Sequence, residues 1–133
     1  MSALPLSVET QEFLNRNIDQ VEDLEILLLL RGEPKHEWSA SEVGHSIGVD
    51  PISVGNRLMR LYLDGFLEHP DGAGRLFQYR HRRQSKLVEK CLTELAEVFA
   101  KSRMEVVNYL VTRQRTQFSQ FADAFRVRDR KDG

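Results

Sequence analysis

Asn56, Arg57 and Arg60, with Ser53 and Ile52 beside them, concentrate base-recognising chemistry in one short stretch. An Asn amide can pair with adenine through two hydrogen bonds and an Arg guanidinium with guanine, each good pair contributing about 1–3 kcal/mol of discrimination. Ile52 offers an apolar contact for a thymine methyl, and Ser53 a hydroxyl on the flank. Ser39 and Ser41 lie where another helix should begin. Hydroxyls beside a helix N-terminus can hold a phosphate. Other chemistries find little support. The single cysteine, Cys91, rules out an intramolecular disulfide and a cysteine-cluster zinc site. His36, His45, His69 and His81 follow no metal-ligand spacing. Asp19, Glu22, Asp23 and Glu25 read as charges favoured at a helix start rather than as an acid–base pair. No nucleophile elbow, phosphate loop or dinucleotide fingerprint is found. The expectation is a protein without metal, cofactor or catalytic activity.

The elements that must position these residues follow from capping and periodicity. Ser7 can cap a first helix carrying Val8, Phe13, Leu14 and Ile18. A second begins near Asp19, with Val21, Leu24, Leu27, Leu28 and Leu30 on a wide apolar face, and stops at Gly32 and Pro34. After a short extended segment, Lys35 to Trp38, the run Ser39-Ala40-Ser41-Glu42 has capping-box spacing and opens a brief helix ended by Gly48. Asp50-Pro51 starts the next. Val54, Leu58 and Leu61 lie on one face of that helix and Ile52, Asn56, Met59 and Arg60 on the opposite one, with Ser53 and Arg57 on its flank. Gly55, at mid-helix, costs about 1 kcal/mol relative to Ala and suggests a close approach to DNA or to the preceding helix. Phe66 to His69 and Arg75 to Arg80 read as two strands joined by the turn residues Pro70 to Gly74, with Phe77 and Tyr79 on one side.

Composition and charge narrow the class. The chain has 133 residues, of which 41% are hydrophobic and 29% charged, values of a folded domain rather than a disordered one. The longest apolar run, Ile26 to Leu30, is far too short to span a bilayer, and the first residues lack a secretory pattern, so a cytoplasmic location and no membrane partner are expected. The net charge of −1 hides an uneven distribution. Residues 1–50 carry three basic and ten acidic groups, residues 51–86 seven basic and three acidic, and residues 87–133 nine basic and seven acidic. The middle third is where a polyanion would dock.

With helix pair, caps and hairpin in this order, residues about 20–83 resemble a winged helix-turn-helix domain of the MarR/ArsR type found in bacterial transcription regulators. The resemblance is carried by Trp38-Ser39-Ala40-Ser41-Glu42-Val43, Ile47-Gly48-Val49-Asp50, Val54-Gly55-Asn56-Arg57-Leu58-Met59-Arg60-Leu61 and Asp64-Gly65-Phe66-Leu67-Glu68, with Pro70 to Arg80 as the wing. It departs at Gly44, where such domains often carry alanine. The resemblance implies double-stranded DNA as partner, the second helix of the pair in the major groove, and a wing along the minor groove or backbone, where Arg75 and Arg80 are the candidate contacts.

From about Ser85 a long helix should run to about Gln114. Val88, Leu92, Leu95, Phe99, Val106 and Tyr109 alternate at spacings of four and three, interrupted by Ser102, which is the pattern of a helix seam. A second copy of the chain could cover this seam and form a homodimer presenting two recognition helices; the rival arrangement folds the seam onto the chain's own helices. Phe118, Phe121 and Phe125 suggest a short aromatic terminal helix, followed by a charged tail. The expected architecture is mostly α with a small β-hairpin wing. Residues 1–84 form the winged helix-turn-helix DNA-binding domain and residues 85–133 the dimerisation helix, aromatic helix and tail. The alternative function is an adaptor of the same fold that binds protein and no DNA. Nothing in the sequence assigns a small-molecule effector.

Overall fold

The computed structural model describes residues 6–71 and 77–132, with side chains up to Arg113. The described elements are α1 (Val8–Asn17), α2 (Val21–Gly32), β1 (Trp38–Ser39), α3 (Ala40–Ile47), α4 (Pro51–Leu63), β2 (Leu67–Glu68), β3 (Gln78–His81) and α5 (Lys86–Asp132). The architecture is mostly α with a small antiparallel sheet, as the residue pattern implies. The sheet has three strands rather than a two-stranded hairpin. β3 lies between β1 and β2, with Trp38 opposite Tyr79, Leu67 opposite His81 and Glu68 opposite Arg80. Tyr79 is buried, but Phe77 lies just before β3 and is 83% exposed, so the two do not share a buried side.

The core forms largely where the apolar stripes predict, except that on α2 Ile26 is buried while Val21 and Leu28 are only half-buried. Leu24, Ile26, Leu27 and Leu30 of α2 are fully buried, together with Leu14, Val43, Val54 and Leu58. Each such aliphatic side chain contributes about 1.5–3 kcal/mol relative to leaving it in water. The same core takes in Cys91, Leu92, Leu95, Val98, Val106 and Leu110 of α5, so segments 1–84 and 85–133 meet through shared packing.

That packing decides the fate of the expected seam. Leu92, Leu95 and Val106 have no exposure within the single chain, and Val88, Phe99 and Tyr109 are half-buried against the same core. α1 and α2 cover this face. The seam is therefore internal at Leu92, Leu95 and Val106, because the amphipathic α1 supplies in cis the apolar partner that the spacing demands.

α5 also holds both ends of α1. Its Glu94 accepts hydrogen bonds from the Ser7 N–H and hydroxyl and from the Thr10 hydroxyl, at the helix start where a negative charge is favourable. Arg113 donates to the Leu14 and Ile18 carbonyls at 2.7 and 2.8 Å, placing a cation at the opposite end. Arg31 to Glu89 and Arg103 to Glu25 tie α2 to α5 in the same way. Ser102, which interrupts the seam in sequence, takes φ −154° and ψ 64° and kinks α5 there. Beyond the kink the backbone stays helical to Asp132, as one element rather than a separate terminal helix. The side chains of Phe118, Phe121 and Phe125 lie outside the described residues.

Candidate nucleic-acid interface

The helix pair is built by local chemistry. The Ser39 hydroxyl accepts from the Glu42 N–H at 3.1 Å and caps α3. The reciprocal half of the expected capping box is replaced, since the Glu42 carboxylate lies 2.7 Å from His36 Nε2. Gly48 ends α3 at φ 73°, a left-handed conformation that costs glycine little, and its N–H donates to the Gly44 carbonyl at 2.8 Å. Gly44 has its own requirement: a Cβ there would lie 2.6 Å from the Val49 carbonyl oxygen. The turn between α3 and α4 passes directly over this residue, which explains why alanine is absent. Asp50 then caps α4 by accepting from the Ser53 N–H at 2.9 Å, with Pro51 in the first turn. Gly55 faces Ala40 of α3, 4.0 Å from where its Cβ would be, an ordinary contact distance, so packing within the chain does not require glycine there.

α4 is anchored by Val54, Leu58 and Leu61, which are buried. Its outer face carries Ile52 at 80% exposure, Asn56, and Met59 at 47%, with Leu63 exposed at the far end. Ser53 is half-buried on the flank. At the N-terminus of α3, Ser41 is exposed and Ser39 half-buried, so a phosphate could reach the Ser41 hydroxyl.

The two arginines depart from the open arrangement expected of them. Arg57 turns sideways into the start of α2, where Nη1 donates to Asp23 Oδ1 at 2.9 Å and Nη2 to Gln20 Oε1 at 2.5 Å. Its side chain retains only 18% of its exposure and that of Asp23 6%. The second Asp23 oxygen accepts from the Gln20 N–H at 3.2 Å. Arg57 is thus a strut between α4 and α2, since a buried carboxylate needs a compensating cation. Arg60 pairs with Asp19, but both side chains remain more than half exposed. Together Asp19, Gln20, Ser53, Asn56, Arg57 and Arg60 line a polar cleft between the α1–α2 turn and α4. The acidic run sits at a helix start, as its position implies, but its spacing does not join it to α4. The signal was available in the concentration of acid before Arg31, but no local spacing says which distant cation it meets.

The wing is held to α4 by an aromatic cluster in which the His69 ring lies 4.2 Å from Tyr62 and 4.7 Å from Tyr79. Arg80 is half-buried and donates to Glu68 at 2.6 Å across the β2–β3 register, so its charge is engaged in the sheet. Arg75 lies outside the described residues. Arg82, Arg83 and Lys86 follow β3 and are exposed. Among the described residues no group of three or more His, Cys, Asp or Glu could hold a metal ion, and no helix is long and apolar enough to cross a membrane.

No protein-family model matches the sequence, and no curated protein matches it. Solved structures do. MepR of Staphylococcus aureus, a transcription regulator of the multidrug efflux pump MepA, aligns with TM-score 0.51 at 12% identity over 88% of this chain and 87% of that one. Sco5413 of Streptomyces coelicolor, a MarR family transcriptional regulator, aligns with TM-score 0.51 at 18% identity over 86% of this chain and 84% of that one. With α3 and α4 set against a three-stranded wing sheet and a long closing helix, the chain has a winged-helix fold shared with these two transcription regulators.

Proposed function

We propose that the protein is a sequence-specific DNA-binding transcriptional regulator without catalytic activity, acting as a homodimer in the cytoplasm. The observation that carries this reading is the outer face of α4. Three buried side chains clamp the helix inward, while Ile52, Asn56 and Met59 project from its N-terminal two-thirds into solvent. A helix so presented fits the major groove, and the preceding α3, with Ser39 and Ser41 at its start, would cross the backbone. Arg60 can exchange its exposed Asp19 for a phosphate, because such a surface pair contributes only about 0–1 kcal/mol. The exposed Arg82 and Arg83 at the base of the wing would follow the backbone or minor groove, with Arg75 as a further candidate, while Arg80 would join them only by leaving Glu68. MepR and Sco5413 support the reading through a shared fold and their own roles as transcription regulators.

With the seam covered in cis, dimerisation falls to what α5 leaves outside. Met104 and Val111 are exposed and Val107 half-buried, spaced three and four apart beyond the Ser102 kink. A twofold contact there would pair two α4 helices, which must lie about 34–36 Å apart, one turn of duplex, to enter successive major grooves. Selection of random duplex DNA by the full chain, with mass measured in parallel by light scattering, tests both parts. The expected result is an enriched inverted repeat and a particle of twice the 15.4 kDa chain mass. Absence of any salt-sensitive DNA retention overturns the reading.

A further inference from the structure

The outward side of α4 has an unusual balance for a helix expected to read bases. The cations it carries, Arg57 and Arg60, are both directed at carboxylates of the α1–α2 turn and α2. Besides them the outer face presents one amide, Asn56, between the apolar Ile52 and Met59, with the exposed Leu63 beyond at the end of the helix. Ile52, Asn56 and Met59 stand at i, i+4 and i+7, on one stripe of the helix. They rise about 10 Å along its axis, the length of about three base-pair steps.

We infer that this stripe selects A·T pairs, with Asn56 reading adenine and Ile52 and Met59 contacting thymine methyls, in a core of about three base pairs per half-site. The inference rests on the DNA-binding reading and adds the composition of the site. Adenine presents an acceptor and a donor side by side in the major groove, which matches the carbonyl and amino groups of one Asn. Guanine presents two acceptors, which call for the paired donors of an arginine. Arg57 cannot supply them without uncovering the buried Asp23, and Arg60, beside the stripe on the same face, is already paired with Asp19. Thymine alone among the bases offers a methyl in that groove, and apolar side chains 80% and 47% exposed have most to gain from it. An apolar protein surface could also cover Ile52 and Met59. It would gain nothing from the amide between them, and the basic residues at the wing base favour a polyanion.

The experiment is duplex selection followed by uracil replacement. The full chain is used to enrich a random duplex pool, and the enriched duplex is remade with uracil for thymine, which keeps base pairing and removes the methyl. The wild type should enrich A·T pairs in each half-site core and lose about fourfold in affinity per methyl removed. Ile52→Ser should bind the thymine and uracil duplexes within about twofold of each other if Ile52 makes the main methyl contact. Asn56→Ala should lose about 5–150-fold in discrimination at the adenine position. Both residues are on the surface, so the variants should melt like the wild type. Enrichment of G·C cores with indifference to uracil overturns the inference and leaves DNA binding standing. No enrichment and no salt-sensitive retention of any duplex overturns both, and gives the stripe to a protein partner.

Discussion

Removing the guanidinium of Arg57 should damage the fold before it damages any contact with DNA. The pair it forms with Asp23 is nearly dry, with Nη1 and Oδ1 2.9 Å apart and side-chain exposures of 18% and 6%. Arg57→Met keeps most of the stem and deletes the charge, leaving the buried Asp23 carboxylate with the Gln20 N–H. Breaking a buried pair by removing one member costs about 3–5 kcal/mol. Two features reduce that here. Part of the arginine is still in water, and its Nε is buried without a hydrogen bond to the described residues, so its removal recovers a desolvation cost. The net expectation is about 2–3 kcal/mol, a fall in Tm of about 6–12 °C. Asp23→Asn should cost a similar amount. Thermal and denaturant unfolding of wild type, both single variants and the double variant form a cycle, and the coupling should exceed about 1 kcal/mol. Additivity of the single variants within about 0.5 kcal/mol would show that Arg57 is not a strut, and would restore it as a candidate base reader. The same geometry makes charge reversal at Arg57 a poor probe of DNA binding, since Glu there would face Asp23.

The remaining predictions concern the turn, the flank and the clamp on α1. Gly44→Ala should destabilise by about 1–3 kcal/mol, because the new Cβ meets the Val49 carbonyl and the α3–α4 turn must shift; an unchanged Tm would count against that contact. Arg60→Ala should leave unfolding within about 1 kcal/mol of wild type, since its pair with Asp19 is exposed. The slope of log affinity against log salt should nevertheless fall by about one phosphate contact. Burial pushes the Glu94 carboxyl up, but hydrogen bonds from Thr10 and Ser7 outweigh it and hold its pKa below the usual range. A lowered folded-state value means stability that is present above the unfolded value, near pH 4.3, and lost as pH falls through the folded one. Protection of the α1 amides, measured relative to their intrinsic exchange rates, should therefore fall on acidification below about pH 4.3, and Glu94→Gln should flatten that dependence.

Much of the helix pair was legible because its determinants are local. Ser39, Gly48, Asp50 and Pro51 act within a turn of their own positions, and the apolar triplet Val54, Leu58 and Leu61 fixes which way α4 faces. What spacing does not encode is the identity of the surface opposite. The α5 seam announced an apolar face correctly at Leu92, Leu95 and Val106, yet α1 covers it. Arg57 lay on the correct flank, yet its direction was set by Asp23, 34 residues earlier in the chain. The segment ending at Trp38 was legible as extended, but its pairing with β3 was not, since two paired residues are too few to say which strand they meet. Ser102 was visible as an interruption, and its kink is the structural form of that interruption.

A regulator of this kind must meet bases through the outer face of α4, and one comparison reaches that directly. The affinity of the wild type for its selected duplex, divided by that for a scrambled duplex at about physiological salt, should reach about 10³ or more. In Asn56→Ala this ratio should fall about 5–150-fold while affinity for the scrambled duplex is unchanged. An equal ratio in the two proteins, or a wild-type ratio near one, would contradict it.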